Sequence, residues 1–152
     1  MTRILLVEDD ADVCSSLADA LAAAPTSARV TSALTVLDGL GELARGDYDA
    51  AVVDLALDGP AETLHEALAF RGVPTLVLSG TRADELPEHA RRHGWSYLAK
   101  PASAEALHDA IDRLLDQPSP RDSTPMSAPP SSPAATAPRQ RVTVAAPVPV
   151  AV

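Results

Sequence analysis

Ala50-Ala51-Val52-Val53-Asp54-Leu55 sets five apolar residues around one carboxylate, shortly after the turn-forming pair Gly46-Asp47. An apolar run without polar alternation is what a strand buried on both faces requires. The same unit recurs on either side. Upstream, Ile4 to Val7 is a second such run, followed by Val13, Leu17 and Leu21 at a spacing of four, which is one helical face ended before Pro25. Arg29 to Ala33 reads as a weaker strand, and Thr35 to Ala44 as a helix loosened by Gly39 and Gly41. Downstream come a helix over Ala61 to Phe70, stopped by Gly72 and Pro74, and a strand over Thr75 to Leu78. A helix over Glu85 to Arg92 closes at Gly94, and a strand follows over Ser96 to Ala99. Ser103 can cap a last helix whose apolar face is Leu107, Ile111, Leu114 and Leu115. Strand and helix thus alternate five times. That pattern predicts an α/β fold, a doubly wound parallel five-stranded sheet with helices on both faces.

Composition sets the limits of this reading. Residues 1–116 carry 9 basic and 20 acidic side chains, whereas 117–152 carry three arginines and one aspartate. So acidic a body argues against a nucleic-acid surface, which needs clustered Lys and Arg. Nine of the 14 prolines and none of the glycines fall in 117–152. Such a segment is expected to be a disordered Pro/Ala/Ser-rich tail, with polyproline character in places, beside a folded domain at 1–116. Cys14 stands alone, so no intramolecular disulfide is possible, and its helical position makes it a core residue. No apolar run approaches a membrane span, and the N-terminus has no signal-peptide plan. A cytoplasmic protein without a membrane segment is the expectation. The segment after 116 is also too short and too polar for an output domain, so direct DNA binding is not expected.

In open parallel sheets, sites form at the carboxyl ends of the strands. Those ends read Glu8-Asp9-Asp10, Asp54, Ser79-Gly80 and Lys100-Pro101. In the flavodoxin-like strand order 2-1-3-4-5, the four strands concerned are neighbours. Carboxylates brought together repel unless a cation sits among them, and Mg²⁺ favours oxygen ligands with a phosphate alongside. Asp54, central in the sheet, is the candidate nucleophile, because aspartyl-phosphate chemistry uses such a residue. Asp10 fits a helix cap. Lys100 is the only lysine among 12 basic residues, which points to a place where a compact ammonium is required. The proline after it permits a cis peptide bond. Ser79 offers a hydroxyl to a phosphoryl oxygen, and Gly80 leaves space beside it.

As a set, Glu8-Asp9, Asp54, Ser79 and Lys100-Pro101 resemble the acidic pair, phosphoacceptor, hydroxyl and lysine of response-regulator receiver domains, over about residues 2–116. The resemblance implies Mg²⁺ held by Asp9 directly, by Glu8 largely through water, by Asp54 and by the backbone carbonyl of Ala56. It implies catalytic roles for Asp54, Ser79 and Lys100, and a switch role for Tyr97. A sensor histidine kinase or phosphotransfer protein would supply the phosphoryl group, and an unknown downstream protein would read it. The protein would then be a stand-alone phosphoacceptor and not an enzyme in the usual sense. Two departures stand out. The interval from Asp54 to Ser79 is short for the family, and the loop Leu55 to Pro60 lacks the usual proline at its fourth position.

Two rival functions share the same residues. One is a phosphorelay shuttle that passes phosphate to a histidine on another protein. The other is a haloacid-dehalogenase-type phosphohydrolase, which needs a second aspartate where this chain has Ala56. The remaining motifs read as structural. His65, His89, His93 and His108 lack metal spacing and read as solvated helix residues. Gly39-Leu40-Gly41 lies inside a helix and is no dinucleotide fingerprint. Trp95 reads as a packing residue at the start of the last strand.

Overall fold

The structure is a computed structural model, and it describes residues 1–118 apart from 24, 26 and 87. The expected disordered tail lies, from residue 119 on, outside the described residues. The elements are β1 (Arg3–Val7), α1 (Ala11–Ala22), β2 (Arg29–Ala33), α2 (Val36–Arg45), β3 (Ala50–Asp54), α3 (Ala61–Phe70), β4 (Thr75–Ser79), α4 (Glu88–Arg91), β5 (Ser96–Ala99) and α5 (Ala104–Asp116). All five strands are parallel, in the order β2-β1-β3-β4-β5. This is the doubly wound, flavodoxin-like sheet that the alternating pattern predicts.

The two faces of the sheet separate by residue parity, as the strand period of two requires. Ile4, Leu6, Ala50, Val52, Leu76 and Leu78 point to one side and pack with Cys14 and Leu21 of α1 and Leu107, Ile111 and Leu114 of α5. Leu5, Val7, Ala51 and Val53 point to the other, against Val36 and Leu43 of α2 and Leu64 and Leu68 of α3. β1, β3 and β4 are apolar along nearly their whole length because both sides are covered.

The helices begin where their caps dictate. Asp10 accepts from the Asp12 and Val13 amides at the start of α1, Thr35 from the Asp38 amide at α2, and Ser103 from the Ala106 amide at α5. Gly39 of α2 loosens nothing. A Cβ there would stand 3.1 Å from Val7 Cγ2, so glycine lets the helix approach β1. Between β4 and β5 the structure departs from expectation. The helix expected over Glu85 to Arg92 is a 3-10 turn at Ala83–Glu85 followed by the short α4. Leu86 stands between them in extended conformation, as the residue before a proline prefers. No helix among the described residues is long and apolar enough to cross a membrane.

Candidate functional site

β1 and β3 lie side by side with Val7 opposite Val53, so the next residue of each, Glu8 and Asp54, emerges at one edge of the sheet. Both are buried, at 1% and 3% exposure, while Asp9 is exposed. One carboxylate oxygen from each of Glu8, Asp9 and Asp54 lies within 4.8 Å of the others. From the far side of the same edge comes Lys100, one residue beyond β5. Its Nζ donates to Glu8 Oε2 at 2.7 Å and lies 3.2 Å from Asp54 Oδ1. The Lys100–Pro101 peptide is cis. Residues 8, 9, 54 and 100, distant in sequence, therefore meet at one point.

The backbone fixes this cluster. The Ala56 amide donates to Asp54 Oδ1 at 3.2 Å, and the Asp10 amide donates to Glu8 Oε1 at 3.2 Å. Asp10 itself caps α1. The Lys100 amide donates to the Ser79 carbonyl at 2.9 Å, which ties the end of β5 to the end of β4. Ser79 is buried, and its Oγ accepts from the Thr81 amide at 2.9 Å. That contact uses a lone pair and leaves the hydroxyl proton to donate. Gly80 is exposed, and a Cβ built there would meet nothing within 4 Å. The Tyr97 hydroxyl donates to the Thr81 carbonyl and stands 3.4 Å from that of Ser79. Ala56 is at hand through its amide.

The electrostatics follow from burial and pairing. Burial raises the pKa of Glu8 above the ordinary carboxylate range, and the charge on Asp54 adds to this; the hydrogen bonds from Lys100 and the Asp10 amide offset it only in part. For Lys100, burial alone would lower the pKa. The hydrogen bond to Glu8 and the charge of Asp54 outweigh it and hold the ammonium above its ordinary value. Three carboxylates and one ammonium leave two negative charges in a largely buried pocket, a costly arrangement unless compensated. An oxygen-only donor set with that residual charge suits a hard divalent cation, and Mg²⁺ fits it.

An open, apolar-walled cavity of about 490 Å³ reaches Lys100 from outside, between Val13, Ser16 and Leu17 of α1 and Pro101 and Ala102 after β5. Val13 is 37% exposed, so this wall presents apolar surface to solvent.

Histidine was the main blind spot of the sequence. His65, expected on a solvated surface, has no exposure, and its ring meets the edge of Trp95 at 5.3 Å between centroids. His93 is half-buried and stacks on Trp95 at 4.7 Å. His108 is half-buried too, its Nε2 2.5 Å from the Ala20 carbonyl. The stripe Ala61, Leu64, His65, Leu68 was the available signal, since it places His65 on the core face of α3.

The fold is that of CheY-like response-regulator receiver domains, to which the chain is similar. Solved structures of this class match the chain closely. A receiver domain protein from Methanospirillum hungatei JF-1 is 26% identical, with a TM-score of 0.68 over 76% of this chain and 94% of its own. A two-component response regulator from Clostridium difficile is 24% identical, with a TM-score of 0.67 over 76% and 96%. The chemotaxis response regulator CheY4 of Vibrio cholerae is 20% identical, with a TM-score of 0.68 over 76% and 99%. No family model matches the sequence, and no curated protein matches it.

Proposed function

We propose that this chain is a Mg²⁺-dependent phosphoacceptor, modified on Asp54, that switches a protein-interaction surface in a two-component or phosphorelay pathway. The observation that carries the reading is the single lysine, 2.7 Å from Glu8 and 3.2 Å from Asp54, at the edge where three carboxylates meet. Phosphoryl transfer asks a protein for position and charge neutralisation more than for covalent help. A carboxylate oxygen of Asp54 bonds to phosphorus as the bond from phosphorus to the donor's leaving atom breaks. Lys100 then exchanges part of its contact with the carboxylates for a phosphoryl oxygen, and the Ser79 hydroxyl donates to another. Gly80 leaves room beside them. Bound Mg²⁺ would neutralise the charge that gathers on the phosphoryl oxygens; Asp9, Glu8, Asp54 and the Ala56 carbonyl would hold it.

The cavity bordered by Val13 and Leu17 gives a donor protein an apolar approach to the site, which suits a sensor histidine kinase or phosphotransfer protein. Movement of Ser79 toward the phosphate would pull the 79–81 segment that holds the Tyr97 hydroxyl, and so alter the outer surface near β5. Such a protein works in the cytoplasm and is a switch, not an enzyme with a turned-over substrate. The test is incubation with acetyl phosphate and Mg²⁺, followed by intact mass. The expected result is one acid-labile phosphoryl group per chain, absent without Mg²⁺ and absent in Asp54→Asn. Turnover of a small phosphate ester without labelling would reject the reading.

A further inference from the structure

At the opposite end of the sheet from Asp54, a second cavity of about 340 Å³ opens where β5 begins and α5 ends. Its apolar walls include Ala69, Val73, Trp95 and Leu114, and Thr75 and Ser96 line it as well. Trp95 is the only tryptophan of the chain, half-buried, with His93 stacked on it and His65 at its edge. Pro118, the last described residue, is itself part of the cavity wall. The described chain therefore ends at this cavity.

We propose that the cavity is the seat of the chain's own proline-rich segment after Pro118, with Pro120 lodged against Trp95. Three observations point to this occupant over any other. The first is continuity: two residues of extended chain span about 7 Å, so Pro120 is within reach and needs no loop to return. The second is chemistry. Proline rings docked on aromatic-lined grooves are a recurrent mode of recognition, and the sequence past 118 supplies Pro120, Pro125, Pro129, Pro130 and Pro133. A wall with mixed polar and apolar character suits a peptide of Pro, Ser and Thr. The third is charge. The outer face of α5 carries Glu105, Asp109, Asp112 and Asp116, all exposed. Asp112 and Asp116 sit near the carboxyl end of the helix, where the dipole disfavours anions and favours a cation. Arg113 already stands in that last turn, and Arg121, next to Pro120, would add a second cation against the acidic face. Tethering makes the contact intramolecular, so even a weak site would be filled. The proposal is independent of phosphorylation at Asp54.

Trypsin acting on the 152-residue chain reads the contact directly, because a docked bond is cut only when it opens. Cleavage after Arg121 is compared between the native chain and Ala69→Glu, which puts a charge into the cavity. The expected result is cleavage after Arg121 faster by about five-fold or more in Ala69→Glu, with cleavage after Arg139 and Arg141 unchanged. Equal rates after Arg121 in a folded variant would overturn the proposal. Should Ala69→Glu not fold, Pro120→Asp in the full chain decides. Acrylamide quenching of Trp95 must rise in that variant, and an unchanged quenching constant overturns the proposal. Quenching of the native chain that falls with protein concentration would instead assign the cavity to a second copy.

Discussion

Lys100 faces two carboxylates at once, and that double contact makes its replacement informative. Lys100→Ala removes the compensating charge at the acceptor, and labelling of Asp54 by acetyl phosphate is expected to slow by about 10²-fold, the usual scale for loss of one preorganised electrostatic group. Lys100→Arg will not restore the rate, because a planar fork cannot stand where a compact ammonium fits between Glu8 and Asp54. Mg²⁺ is expected to raise the Tm of the native chain by an amount set by its concentration relative to Kd; Asp9 is exposed, so Asp9→Ala should leave the fold intact and abolish that rise. Glu8 adds a dependence on pH. Its pKa is raised in the fold, chiefly by burial, so the folded state holds the Glu8 proton more tightly than the unfolded chain does. Its contribution therefore favours folding at low pH and is lost as pH rises from the ordinary carboxylate value through the raised one. Lys100, also raised, contributes stability that persists below its ordinary pKa and is lost as pH climbs through the higher folded value. For the metal the same shift predicts that Mg²⁺ affinity, followed by titration at fixed ionic strength, starts to weaken at a pH above the ordinary Glu range.

Among the elements, α2 carries two glycines with opposite reasons. Gly41 would place a Cβ no nearer than 3.7 Å to the flexible Arg45 side chain, so Gly41→Ala should stabilise the protein by about 0.5–1 kcal/mol through helix propensity. Gly39 faces fully buried Val7 at 3.1 Å, and Gly39→Ala should lack that gain and destabilise, as paired thermal melts would show. The sequence supplied the periodicity of α2 but no means of telling these glycines apart, since the distinction depends on which strand the helix crosses. Capping was legible: Asp10 and Ser103 precede apolar stripes and do cap α1 and α5. Asp10→Ala should cost about 1 kcal/mol. The short α4 was less legible. The apolar spacing around it suits a helix, and only Pro87 within the expected span argued for a break.

For the whole molecule, topology turned four separate strand ends into one pocket. Uninterrupted apolar runs at β1, β3 and β4 could be read as a parallel sheet because both faces are covered, and strand-end polar residues stood out against them. Glu8, Asp9, Asp54 and Lys100 were visible for that reason. What sequence could not supply was the pairing at contact distance, such as the Tyr97 hydroxyl on the Thr81 carbonyl, or Trp95 as the ring that His65 meets in a chain with only 3% aromatic residues. Such contacts arise between elements far apart in the chain and leave no local pattern.

The central claim is that a sheet edge gathers these groups around one reactive carboxylate, and trapping the acyl phosphate tests it most directly. Borohydride reduction of the chain labelled with acetyl phosphate and Mg²⁺ converts a phosphorylated aspartate to homoserine, which peptide mass mapping locates. The account predicts homoserine at position 54 alone, and none when Mg²⁺ is withheld. Homoserine at any other aspartate, or a native chain that takes no label, would contradict it.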